Sequence, residues 1–70
     1  MKQPSAGEIW KDNDPRGARF VRVTGVGTEF VRLVRVNEDG TAFPGGYKSS
    51  SRLERFSITS RNGFTFVRGQ

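Results

Sequence analysis

From Arg19 to Val36 apolar side chains recur at every second position, the spacing of a strand with one face turned to a core. Arg19-Phe20-Val21-Arg22-Val23-Thr24 reads as one strand, and Thr28-Glu29-Phe30-Val31-Arg32-Leu33-Val34-Arg35-Val36 reads as its partner. Gly25-Val26-Gly27 between them predicts a tight reversal and a hairpin. Ahead of this pair, Gly7-Glu8-Ile9-Trp10-Lys11 predicts a first strand. The following Asp12-Asn13-Asp14-Pro15-Arg16-Gly17 concentrates turn chemistry: Asx side chains that bond their own backbone, a fixed proline φ and a glycine exit. No window shows the i, i+3, i+4, i+7 spacing of an amphipathic helix, which limits helix to one short turn at most.

Beyond Val36, Asn37-Glu38-Asp39-Gly40 predicts another turn. Thr41 to Ser51 predicts an irregular polar loop around Pro44-Gly45-Gly46, an awkward interior for a strand. Order resumes at Arg52-Leu53-Glu54-Arg55-Phe56 and extends through Ser57-Ile58-Thr59. Arg61-Asn62-Gly63 supplies a hairpin turn, and Phe64-Thr65-Phe66-Val67-Arg68 a last strand with Phe64 and Phe66 on one face. Within the third strand, Val31 and Leu33 face one way while Val34 and Val36 face the other. Either both faces are buried or a bulge near Leu33 and Val34 resets the alternation. A bulge is expected, because so short a chain has little to cover a second face.

Short strands joined by glycine turns at about ten-residue spacing predict an all-β fold: a small five- or six-stranded antiparallel SH3-like open barrel. Residues 7–68 form its single domain, between an N-terminal arm (1–6, expected to be flexible) and a C-terminal tail (69–70). The expected core is Ile9, Val21, Val23, Val31, Leu33, Val36, Leu53, Phe56 and Phe66, with Trp10 packed on the barrel rim.

Composition narrows the function. With 70 residues the core is thin, and the chain has neither cysteine nor histidine. Disulfides, thiolate metal sites, the commonest general base and the commonest neutral metal ligand are therefore excluded. No catalytic residues, no metal and no cofactor are expected. The Asp12-Asn13-Asp14 run begins like a calcium loop but lacks its later glycine and glutamate, and reads as a turn. No signal peptide and no membrane span is legible, so a cytoplasmic protein is the expectation. The net charge is +5, from nine arginines and three lysines against seven acids, which draws polyanions whatever the origin of the arginine bias.

If Gly25, Val26 and Gly27 form the loop, Arg22 lies opposite Phe30 and Phe20 opposite Arg32. The hairpin then carries a basic face interleaved with aromatics. Such pairs can simply stabilise an exposed sheet face, or they can stack bases and hold phosphates. The candidate nucleic-acid contacts are Phe20, Arg22, Phe30 and Arg32, joined by Tyr47, Lys48, Arg52 and Arg55 around the long loop. In the alternative, a host protein is the partner, with Trp10, Tyr47 and Phe64 as aromatic anchors. A structural or assembly component is a third reading.

The opening Gly7-Glu8-Ile9-Trp10-Lys11-Asp12-Asn13-Asp14-Pro15-Arg16 resembles that of a family of short, uncharacterised proteins of actinobacteria and their phages. The resemblance continues through Arg19-Phe20-Val21-Arg22-Val23, Arg52-Leu53-Glu54-Arg55-Phe56 and Gly63-Phe64-Thr65-Phe66-Val67. It implies an SH3-like barrel of phage origin, working in the host cytoplasm. A shorter resemblance, confined to residues 7–16, is to toxin endoribonucleases on SH3-like barrels. It implies a shared opening to the barrel and not their activity.

Overall fold

The structure is a computed structural model and describes residues 3–57 and 63–69. Its strands are β1 (Ile9–Asp12), β2 (Arg19–Val26), β3 (Phe30–Val36), β4 (Lys48–Arg52) and β5 (Phe64–Arg68), with a 3-10 turn over Leu53–Ser57. They form one antiparallel sheet in the order β4-β3-β2-β1-β5. Four strands meander, the 3-10 turn reverses the chain, and β5 returns to pair with β1. This is an all-β domain with the arrangement of a small SH3-like open barrel, whose two edge strands, β4 and β5, leave a seam. Among the described residues no helix is long and apolar enough to cross a membrane.

The inner face holds the main core: Trp10, Val21, Val23, Val31, Leu33, Phe56 and Phe64, with Leu53 packed partly against it. Trp10 does not sit on the rim. Its ring meets Phe56 edge-on at 5.0 Å and Phe66 at 5.5 Å, while Phe56 and Phe64 stack at 4.2 Å. The buried indole is satisfied because its Nε1–H donates to Glu8 Oε1 at 3.1 Å, and the same oxygen accepts the Ser5 N–H at 2.8 Å. Phe64, not Phe66, is the buried ring of β5, because the 3-10 turn brings Phe56 over Phe64. Phe66 covers only the edge of Trp10 and stays 37% exposed.

The β2–β3 pairing differs from the expected register. Arg22 lies opposite Val34 and Phe20 opposite Val36, and the turn comprises Gly27, Thr28 and Glu29, closed by the Gly27 N–H donating to Phe30 O at 2.8 Å. The bulge lies in β2, between Val23 and Gly25, and β3 runs without one. Only the Val36 end of β3 is covered on both faces, part of the reading set aside from sequence; its outward residues Phe30 and Arg32 stay exposed. The cover is local: residues 37–42 fold over the outer face and bury Ile9 and Val36.

That lid is a tight Asx-rich loop. Asn37 N–H donates to Thr41 O, Gly40 N–H to Asn37 O, and Asp39 Oδ1 accepts both the backbone N–H and the hydroxyl of Thr41. Gly40 has φ +90°, and a Cβ there would come within 3.0 Å of Arg68 Nη2 and 3.4 Å of Arg22 Nη2. The left-handed φ favours glycine, and a Cβ would in addition displace the two guanidinium ends by a few tenths of an ångström. Two further departures concern the long loop. Lys48–Arg52, all but its last residue expected to belong to the irregular loop, is a strand, since serines and a lysine can pair with β3 at an edge where nothing must be buried outside. Leu53–Ser57, expected to be extended, is the 3-10 turn. The predicted stretch Ile58-Thr59 and most of the Arg61-Asn62-Gly63 turn lie outside the described residues.

Candidate nucleic-acid interface

Alternation places side chains on the outer face of β3 and β4 in rows: Phe30 beside Arg52, Arg32 beside Ser50, Val34 beside Lys48. Phe30 is 48% exposed, and the Arg52 guanidinium carbon lies 5.5 Å from its ring centre. Arg32 and Lys48 are exposed on the same face. Among the described residues Arg32 makes no intramolecular hydrogen bond or ion pair, so its fork of donors faces solvent. An aromatic ring at one end of a row of three cations on an open sheet face can stack a base while the cations hold phosphates.

The eight sequence-predicted contacts thus separate into groups. Phe30, Arg32, Lys48 and Arg52 come together. Phe20 and Arg22 share their face but lie under the lid: Phe20 is half-buried near Glu38 and Asp39, and Arg22 Nη2 donates to Gly40 O at 3.0 Å. Arg22 is a structural clamp on the lid, not an open contact. Tyr47 is 62% exposed at the rim of the seam, near Phe43 at 6.2 Å. Arg55 is on the opposite side of the sheet, bound to Ser51 Oγ at 2.9 Å and Asp12 Oδ1 at 3.4 Å, with its guanidinium 4.7 Å from the ring centre of Phe64. Of the alternative anchors Trp10, Tyr47 and Phe64, only Tyr47 reaches the surface, because the core claims both other rings.

Around the Asp12-Asn13-Asp14 turn the chemistry is that of Asx bonding. Asp14 Oδ1 accepts the Arg16 N–H at 2.9 Å, and its carboxylate pairs with Arg16 and Arg19. The Arg16 backbone and side-chain donors hold the Asp14 carboxyl below its ordinary range.

Three cations that the sequence reading passed over or misplaced converge in the seam. Arg19, Arg35 and Arg55 line a groove of about 460 Å³ together with Asp12, Ser49 and Ser51. Arg19 and Arg35 share the inward parity of Val21 and Leu33, so charged residues at core-facing positions near strand ends were the available signal. Arg55 could not be placed so long as its segment was read as a strand. No protein-family model, no curated protein and no solved structure matches this chain, and its function must be read from its own geometry.

Proposed function

We propose that this is a small non-catalytic binding domain that engages nucleic acid through the outer face of β3 and β4. The observation that carries the reading is the half-exposed Phe30 ring in register with Arg52, with Arg32 and then Lys48 following along the same face. The contacts are to phosphates and to base faces, with nothing among the described residues shaped to enter a groove and read base edges. Binding is accordingly electrostatic and sequence-tolerant. The resemblance to short phage and actinobacterial proteins agrees with a phage-derived module of the host cytoplasm.

Fluorescence anisotropy with single- and double-stranded oligonucleotides at low salt tests it. With three cations engaged, log K against log[salt] should fall with a slope of about −2 on single strands. Absence of any anisotropy change at low salt overturns the reading. Tyr47, the remaining exposed anchor, supports a host protein as the alternative partner. A partner retained from nuclease-treated lysate and lost on Tyr47→Ala would favour that alternative.

A further inference from the structure

We propose that the seam groove is a binding site for a phosphomonoester, separate from the β3–β4 face and independent of the reading given to that face. Its arginines are held in advance. Arg55 is fixed by Ser51, Asp12 and the Phe64 ring, and Arg19 is anchored through Asp14. Arg35 is different. Its guanidinium carbon lies 4.0 Å over the ring centre of Phe43, and its Nε is buried with no hydrogen-bond partner. Among the described residues no carboxylate pairs with Arg35, so its guanidinium lines the groove with its charge uncompensated.

The charge balance points to the ligand class. Arg16, Arg19, Arg35 and Arg55 against Asp12 and Asp14 leave two positive charges around the groove. A phosphomonoester near neutral pH carries about two negative charges and several acceptor oxygens. Guanidinium forks match those oxygens in pairs, and the Ser49 and Ser51 hydroxyls line the same wall. A groove of about 460 Å³ admits a mononucleotide or the phosphorylated end of a strand. These two sources share the recognised group, and the experiment separates them.

The test records arginine Nε–H signals by NMR, and affinities, with matched probes: inorganic phosphate, adenosine with and without its 5′-monophosphate, and one oligonucleotide with and without a 5′-phosphate. The phosphorylated member of at least one pair should bind about tenfold tighter or more and shift the Arg35 and Arg55 signals. Arg35→Met should abolish that preference. Ser49→Asp, at an exposed position that places a carboxylate on the groove wall without touching the core, should do the same. A preference in the adenosine pair alone assigns a free small phosphomonoester; one in the oligonucleotide pair assigns a strand end. Equal binding of both members in every pair overturns the proposal, as does a preference that survives in both variants. Loss of all oligonucleotide affinity on Arg32→Ala with Arg52→Ala, while phosphate still shifts Arg35, bears only on the β3–β4 face. If instead oligonucleotides bind regardless of their 5′-phosphate and the adenosine pair shows no preference either, that face stands and the groove proposal falls.

Discussion

The triplet Phe-Val-Arg occurs at residues 20–22 on β2 and again at 30–32 on β3, with opposite fates. In both copies the valine faces the core and the phenylalanine and arginine face outward. On β2 the lid loop lies over them: Phe20 is half-buried and Arg22 donates to Gly40 O. At the start of β3, beyond the reach of the lid, Phe30 and Arg32 meet solvent. A third copy at 66–68 is split by a register shift where β5 pairs with Ile9 and Trp10, so that Phe66 turns inward and Arg68 outward to donate to Glu38 O at 3.2 Å. Identical chemistry becomes scaffold or surface according to what lies above it. The outer face therefore has a closed half, over β1, β2 and β5, and an open half over β3 and β4.

Truncation should separate the halves most sharply. Ile9→Ala, beneath the lid, should cost about 2–5 kcal/mol in chemical denaturation, a large part of what a domain of this size has available. Phe30→Ala should change stability by only about 0.5–1 kcal/mol, the worth of its exposed contact with Arg52, while weakening oligonucleotide binding by about 1–3 kcal/mol. Equal destabilisation by the two variants would erase the distinction between the halves.

Smaller changes to the lid sharpen the comparison. Gly40→Ala should destabilise by about 1 kcal/mol or more, since it strains a left-handed residue and crowds Arg22 and Arg68. Hydrogen exchange should then rise at Val36 and Ile9 before the inner core. Arg22→Met should cost about 1 kcal/mol by removing the donor to the Gly40 carbonyl, whereas Arg32→Met should leave thermal stability within about 0.5 kcal/mol of the parent and reduce the salt slope of binding by about 0.7 on single strands.

The smallest effect is a titration. Bonds from the Thr41 hydroxyl and backbone N–H hold the Asp39 carboxyl below its ordinary value of 3.8. A carboxyl depressed in the folded state contributes its stability above the unfolded value, and that contribution fades as pH falls through the folded value. Asp39 should thus stabilise the lid equally at pH 5 and pH 8 and release it only in acid below its ordinary range. NMR titration of the Asp39 and Thr41 signals would show it, and an Asp39 pKa at or above 3.8 would contradict the bond to Thr41.

Alternation alone made much of the molecule legible. It identified the strands around the β2–β3 hairpin, the inward set Val21, Val23, Val31 and Leu33, and the outward placement of Phe30 and Arg32. The predicted register was wrong, yet the faces survived, because the pairing moved by an even number of residues and side chains change sides with period two. The cation row of β4 was less legible. Pro44-Gly45-Gly46 disguised the strand that follows, and edge serines carry no hydrophobic signal to betray one.

What the sequence determined by itself is therefore local: which residues point together, where turns fall, and that the whole is basic and β-structured. Only the tertiary structure decided which outward face is truly exposed. Ile9 and Trp10 are neighbours on opposite sides of β1 and both are 2% exposed, one under the lid and the other inside the barrel. Periodicity describes one strand's own geometry, whereas cover comes from a segment distant along the chain. The arrival of residues 37–42 over β1 and β2 rather than over β3 and β4 leaves no mark in the alternation of either.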